Sequence, residues 1–323
     1  QASYTGFTFG TTPASAPWYI LSGSTRPILQ MEYSTSITNA HQLQLMNMNL
    51  AASYNLLNDV DAVGTQTASD VWGTSIANGK AGFLPVGYAI GAGTTYFTGS
   101  LNGNNRIINN LYINNTQDTQ VGLFGVITST SSISNVGLTN VNITSTVTSG
   151  TVERGAGSLV GMSTGSITNS FSTGSVSVSN NNQYSFAGGL VGYNNGILSN
   201  SYSTANVSNT ALSGGNTVRT VAGGLVGVNY NGGGTGAVSS SYSSGNVTAT
   251  FITSTGSVFV GGLVGLLANG SITDAYSLGN VTANGTPGSN AANFAVGGLV
   301  GSSTGTPTIT RAYSSGAVTA AST

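Results

Sequence analysis

Between residues 121 and 301 one short glycine-bracketed phrase recurs six times. It reads Gly122-Leu123-Phe124-Gly125, Gly157-Ser158-Leu159-Val160-Gly161, Gly188-Gly189-Leu190-Val191-Gly192, Gly223-Gly224-Leu225-Val226-Gly227, Gly261-Gly262-Leu263-Val264-Gly265 and Gly297-Gly298-Leu299-Val300-Gly301. Successive leucines stand 36, 31, 35, 38 and 36 residues apart. A period of this length marks a solenoid, in which each unit buries its apolar face only against its neighbours. Function is then to be sought along a repetitive surface and at two ends.

A second phrase follows each leucine: an aliphatic residue, a polar one two places on, an aromatic two further, then Ser-x-Gly-x-Val or a close variant. It occupies residues 167–176, 198–207, 238–247, 272–281 and 309–318. Alternation of apolar and polar residues at period two is the strand signal. The glycines between phrases are expected at corners, where they take positive φ without steric cost. Fainter copies at 108–112 and 133–137 begin 25 residues apart, about one three-stranded turn of a parallel β-helix. The later copies start 34, 31, 40, 34 and 37 residues apart, which reads as one coil plus a loop of variable length. Those loops fall at 180–184, 210–220, 251–256 and 284–292. Two short coils per unit is the alternative.

Stacking coils in register puts equivalent residues about 4.8 Å apart and predicts three columns. Leu123, Leu159, Leu190, Leu225, Leu263 and Leu299 form one core column, and Phe171, Tyr202, Tyr242, Tyr276 and Tyr313 form an aromatic core column. A polar ladder takes Asn110, Asn135, Asn169, Asn200, Ser240, Asp274 and Arg311, since stacked asparagines bond up and down in-register sheets. Asp274 and Arg311, adjacent in that ladder and opposite in sign, are expected to pair at the surface.

Charge narrows the function classes. Six Lys+Arg oppose seven Asp+Glu, for a net charge of −1 with 4% charged residues. No field exists to gather nucleic acid or anionic lipid. Zero cysteine removes disulfides and thiolate metal sites. No apolar run is long enough for a membrane span, and no leader precedes Gln1, which fits a processed secreted chain or a chain boundary. No cofactor is implied.

The first third differs from the rest. The expected division is an extended apolar arm at 1–36, a cap region with one helix at 37–95, and the β-helix proper at 96–323. The helix is placed at 38–54, with Leu43, Met46 and Leu50 at helical spacing and Thr38 or Asn39 as N-cap. A helix before a strand stack is most simply an end cap, covering an edge that would otherwise template aggregation.

The pentad with its Tyr-Ser-x-Gly-x-Val sequel resembles the GLUG motif of secreted bacterial adhesins, the filamentous-haemagglutinin-like proteins among them. The lead-in also looks like the segment before such repeats, at residues 37–45, 54–59, 82–87 and 97–103, with Trp18 and residues 27–29 as the close of a preceding module. The resemblance implies a right-handed parallel β-helix at the bacterial cell surface. It carries over no catalytic residue, because the motif positions are glycines and core aliphatics.

Candidate chemistry is sparse. Polysaccharide cleavage needs paired carboxylates or acids clustered with Arg or Lys. Within the repeats only Glu153, Arg154, Arg219, Asp274 and Arg311 are available. Asp59 and Asp61, with Asp70 beside them, could form a calcium site, though turn acids at the edge of the cap is the plainer reading. His41 lacks a Ser-His-Asp context and reads as a surface or packing residue. No Gly-Lys-Ser/Thr follows the pentads, so they are not phosphate loops. The threonines do not align in the regular column an ice-binding face would want, and the sequons, such as 206–208 and 280–282, arise from the repeat.

The expected function is therefore structural and adhesive: a secreted filament, its uncapped last coil meeting the apolar arm or cap of the next copy head to tail. Partners are other copies of the chain and host or biofilm glycans or surface proteins. The alternatives are a slice of a longer monomeric adhesin, or a β-helix that binds or cleaves carbohydrate.

Overall fold

The computed structural model describes residues 4–21, 23–73, 79–90, 93–147, 153–181, 184–213, 219–251, 256–285 and 293–321. Most of the expected variable-loop residues lie outside these. The fold is an all-β parallel solenoid whose wall is made of three sheets. Two sheets have six strands each. One runs Gln120–Val121, Arg154–Ala156, Tyr184–Gly188, Arg219–Gly223, Ser257–Gly261 and Asn293–Gly297. The other runs Phe124–Ile127, Val160–Ser163, Val191–Asn194, Val226–Tyr230, Val264–Ala268 and Val300–Thr304. Each repeat gives one strand to each, so there is one coil per repeat and the two-coil alternative is set aside. The third and largest sheet carries the second phrase.

The pentad is the bend between the first two sheets, and its glycines are required by closeness. A Cβ on Gly188, Gly223, Gly261 or Gly297 would collide with the carbonyl of the valine three residues on. One on Gly192 or Gly227 would lie 2.5 Å from a backbone atom of the neighbouring coil. None of these pentad glycines has a left-handed φ; the expected positive φ is found at glycines between the phrases, Gly236, Gly285 and Gly305. Left-handed backbone falls on polar residues as well: Asn135, Asn169, Asn200, Ser240, Asp274 and Arg311 have φ between 47° and 56°. Each makes a sharp corner in the large sheet. Asparagine tolerates this conformation because its short side chain bonds locally, whereas other non-glycine residues pay for it.

The interior is an apolar column with polar seams. Leu123, Leu159, Leu190, Leu225 and Leu263 are fully buried, and Leu299, in the last rung, is half-buried. Their main chains are also linked: the Leu190, Leu225 and Leu263 N–H groups each donate to the leucine carbonyl of the next coil at 2.9–3.0 Å. Ser172 and Ser203, like Ser243 and Ser277, are buried and bond each other, while Ser172 and Ser243 also donate to pentad carbonyls of Gly189 and Gly262. Buried Asn194 donates to Asn229 at 2.8 Å, and Asn229 to the Gly236 carbonyl at 2.6 Å. Buried polar groups persist only when satisfied in this way.

The first third also departs from the expected division. The large sheet already contains Ser36–Ile37 and Ser53–Leu56, the latter pairing in parallel with Ser100–Asn109. The arm is a hairpin: Trp18–Tyr19 pairs antiparallel with Ile28–Leu29. The helix is only Ala40–Leu45, capped by Asn39, whose Oδ1 accepts from the Gln42 N–H at 3.0 Å. A 3-10 turn at Met46–Met48 ends it, and Tyr54 lies in a strand. Tertiary packing decides this: Leu43 and Met46 are fully buried, yet residues after 48 are drawn into the sheet.

Because Ser240 holds a left-handed φ of 47° that asparagine adopts at lower cost, Ser240→Asn is expected to stabilise the protein by about 1 kcal/mol. Thermal or denaturant unfolding measures it, and an unchanged or lowered midpoint contradicts this account of the corner.

Candidate functional site: an outer aromatic ladder and a glycine-cornered groove

Phe171, Tyr202, Tyr242, Tyr276 and Tyr313 occupy equivalent strand positions. Their rings stack at centroid distances of 4.9, 4.7, 4.9 and 5.3 Å, tilted by 10° or less. These distances exceed van der Waals contact, so the rings are offset, the favourable arrangement for π faces. The column is not in the core. Phe171, Tyr202, Tyr242 and Tyr276 are half-buried and Tyr313 is 58% exposed. Period-two alternation turns the adjoining serines inward and the rings outward.

The polar ladder divides in two. Asn169 donates to Asn135 at 3.1 Å, and Asn135 to Asn102 at 3.0 Å. Asp274 and Arg311 pair through two contacts, at 2.5 and 2.6 Å, on the exposed surface. The Arg311 hydrogen bond holds the Asp274 carboxyl below its ordinary range. Asn110 does not belong to this ladder. Ile108 pairs with Leu138 and Ile133 with Leu101, so the 25-residue alignment fails. Asn110 sits at another corner and donates to Asp61. A further outer ladder had no sequence signal beyond its sequons: Asn206, Asn246 and Asn280 each accept, through Oδ1, a backbone N–H of the next coil at 3.0–3.1 Å.

Asp59 accepts from the Ile107 N–H, and Asp61 from the Val63 N–H and Asn110, each at 3.0 Å. Among the described residues no three His, Cys, Asp or Glu side chains converge to hold a metal. Asp70 lies elsewhere, in a clamp that sequence reading missed. His41 Nδ1 meets Glu32 at 2.9 Å and Nε2 meets Asp70 at 2.8 Å, with the ring edge-on to Trp72 at 5.5 Å. Arg26 donates to the Asp70 and Ala68 carbonyls. The clamp joins the hairpin's exit, the helix and residues 68–72. With both ring nitrogens engaged by carboxylates, His41 has none left to deprotonate a nucleophile.

The second site is a groove of about 530 Å³ on the outside of the pentad bend. One wall is formed by Phe186 and Phe259, which stand in one strand column with the fully buried Val221 between them. The other is Tyr193, Val228, Leu266, Ser302, with Tyr230, Ala268 and Thr304 beside it. Phe186 and Phe259 are 3% and 4% exposed and belong to an apolar cluster separate from the core. Glu153 and Arg219 also line the groove. The Tyr193 hydroxyl is held protonated far above neutrality, by burial first and then by the Glu153 charge and Tyr230. The glycine corner shapes this groove: a Cβ on Gly265 would lie 2.5 Å from Val221 Cγ1.

The fold and its repeats define a class, the parallel β-solenoids. A crystal structure from Bacteroides ovatus, described as a candidate immunoglobulin A1 protease, shares the fold with a TM-score of 0.58 and 22% identity, over 97% of this chain and 80% of that one. Within the class the chain carries GLUG-motif repeats: the Glug family model, the GLUG motif, matches residues 259–282 and 292–319. Halomucin of Haloquadratum walsbyi is 40% identical over 121 residues, which is 38% of this chain and 1% of that protein.

Burial lowers the His41 pKa, but hydrogen bonds to Asp70 and Glu32 and their charges outweigh it and raise it above 6.5. For Asp70, burial raises the pKa, but the His41 and Val71 hydrogen bonds outweigh it and lower it below 3.8. The raised histidine contributes stability that is complete below its unfolded value and is lost as pH rises through its folded value. The depressed Asp70 contributes stability present above its unfolded value and lost as pH falls through its folded one. Intrinsic-rate-corrected hydrogen exchange of the helix is therefore expected to quicken as pH rises above the ordinary histidine range of about 6.5, and the dependence is expected to vanish in His41→Gln. Equal pH profiles contradict the clamp.

Proposed function

We propose that the chain is a rigid module displayed at the cell surface, whose work is reach and adhesive recognition rather than catalysis. The observation that carries this reading is register: among the described residues, coil upon coil pairs in parallel from Ser100 to Ala321. Such a stack bends little. The GLUG motif, the likeness to a protein named halomucin and the low charge support an extracellular, surface-associated setting. Among the described residues no helix is long and apolar enough to cross a membrane.

End-to-end association of copies is a second reading, favoured by one observation. The last coil exposes Ile309, Tyr313 and Val318 by 48, 58 and 47%, and its strand edges are unpaired, which templates further pairing. In a longer chain the next coil would cover the same edge. Negative-stain microscopy across a concentration series tests both readings. Stiff rods are expected, lengthening with concentration; compact particles overturn the module reading, and rods of constant length overturn association.

Proteolysis is the reading suggested by the description of the Bacteroides ovatus neighbour. The single histidine gives it no support, since both ring nitrogens are engaged by carboxylates. Incubation with immunoglobulin A1 is expected to leave it intact by gel electrophoresis. Cleavage that survives repurification of the protein overturns the non-catalytic reading.

A further inference from the structure

We propose that the groove outside the pentad bend binds a single linear oligosaccharide of little net charge, lying along the solenoid axis. The inference deepens the adhesive reading and rests on it.

The groove has the makings of a recognition site. Its volume of about 530 Å³ falls within the range of small-ligand sites, roughly 300–1,000 Å³, which are mostly apolar with a few polar groups. It extends from Glu153, beside the strand Arg154–Ala156, to Ser302–Thr304 four coils on. At the spacing between neighbouring strands that is a trough about 19 Å long. Phe186, Tyr193 and Tyr230 form a run of rings with successive centroids 5.9 and 6.0 Å apart, the last pair edge-to-face. They thus present differently oriented surfaces, unlike the parallel ladder on the large sheet, whose faces cover one another. The reachable ring surface is that of the half-buried Tyr193 and Tyr230, with Phe186 beneath them at 3% exposure.

The chemistry of the lining selects the ligand. The Tyr193 and Tyr230 hydroxyls, with Ser302, Ser303 and Thr304, supply neutral donors and acceptors beside the rings. A sugar has just this division, with apolar C–H faces to lie on rings and hydroxyls around its edge. Glu153 and Arg219 bring one charge of each sign, so the groove does not collect a polyanion or polycation. Arg219 is also engaged by the Tyr184 ring at 5.0 Å.

A peptide fits less well. Both walls are interior sheet surfaces whose backbone groups pair with the coils above and below, and the groove runs across the strands. No free strand edge lies along it to receive a peptide by strand addition, so a bound peptide would bring backbone N–H and C=O groups that find few partners. Sequence placement agrees: the segments expected to vary in length lead directly into the strands that begin at Tyr184, Arg219, Ser257 and Asn293.

The test uses the whole chain on an array of linear hexasaccharides, neutral (gluco-, xylo-, manno-, N-acetylglucosamine-type) and uronate, alongside a library of extended peptides. Affinity for hits is measured by calorimetry for the unaltered protein, Tyr193→Ala, Tyr230→Ala and the ladder variant Tyr202→Ala. Binding to at least one neutral hexasaccharide is expected. Each groove variant should weaken it tenfold or more with the melting temperature kept near that of the parent, while Tyr202→Ala leaves it unchanged. Tyr193→Phe, which keeps the ring, should retain most of the binding. No neutral hit, a preference for uronates or peptides, or equal loss in Tyr202→Ala overturns the proposal. Negative-stain images of the same preparation separate the two readings: rods that bind no sugar sink the groove assignment alone, whereas compact particles sink the module reading beneath it.

Discussion

Backbone hydrogen bonding between coils in exact register is the constraint from which the rest follows. Once Leu190, Leu225 and Leu263 each donate to the leucine of the next coil, every side chain has a fixed partner one coil away. Columns then form whether or not the side chains would choose them. Leucine columns fill the interior, offset rings line an outer face, and asparagines bond along the corners. The same constraint demands that no coil bulge into its neighbour, and the pentad glycines meet that demand at the bend. Low charge fits as well, because like charges stacked one coil apart repel; the one charged step in the corner column alternates in sign, Asp274 above Arg311.

Much of this was legible in the sequence, and the failures have physical causes. The period, the parallel solenoid and one coil per repeat follow from the leucine spacing. Which side of a sheet a column faces does not, because both sides of these strands carry apolar residues. Tyr242 therefore reads as core although it is half-buried, while Ser243 beside it is fully enclosed. Similarly, glycine reads as a left-handed corner residue, which holds for Gly236, Gly285 and Gly305, but in the pentads its lack of a Cβ is used for approach, and further left-handed turns fall to Asn169 and its equivalents. The alignment of Asn110 with Asn135 fails because residues 103–105 bulge, so the first coils keep a step of 32 residues before the bulge and 30 after it where local similarity suggests 25.

The groove and the histidine clamp were not legible at all. Phe186, Tyr193 and Tyr230 lie on strands of two different sheets, and only the pentad bend brings their outward sides together. Glu32, His41 and Asp70 are spread over 38 residues and three different local structures. Their convergence depends on the hairpin folding back, which leaves no periodic trace. Repetition makes sequence informative about the shaft of such a molecule and nearly silent about its exceptions.

The left-handed corner has a consequence for how the molecule comes apart. Asparagine fills it in the earlier coils, but Ser240, Asp274 and Arg311 fill it in the last three, where each residue holds an uncomfortable backbone at some cost. Cohesion is thus graded along the shaft, firmest toward Asn135 and weakest toward Arg311. Under load, the windings at Ser240, Asp274 and Arg311 would let go before those held by Asn135, Asn169 and Asn200, dissipating work at each step.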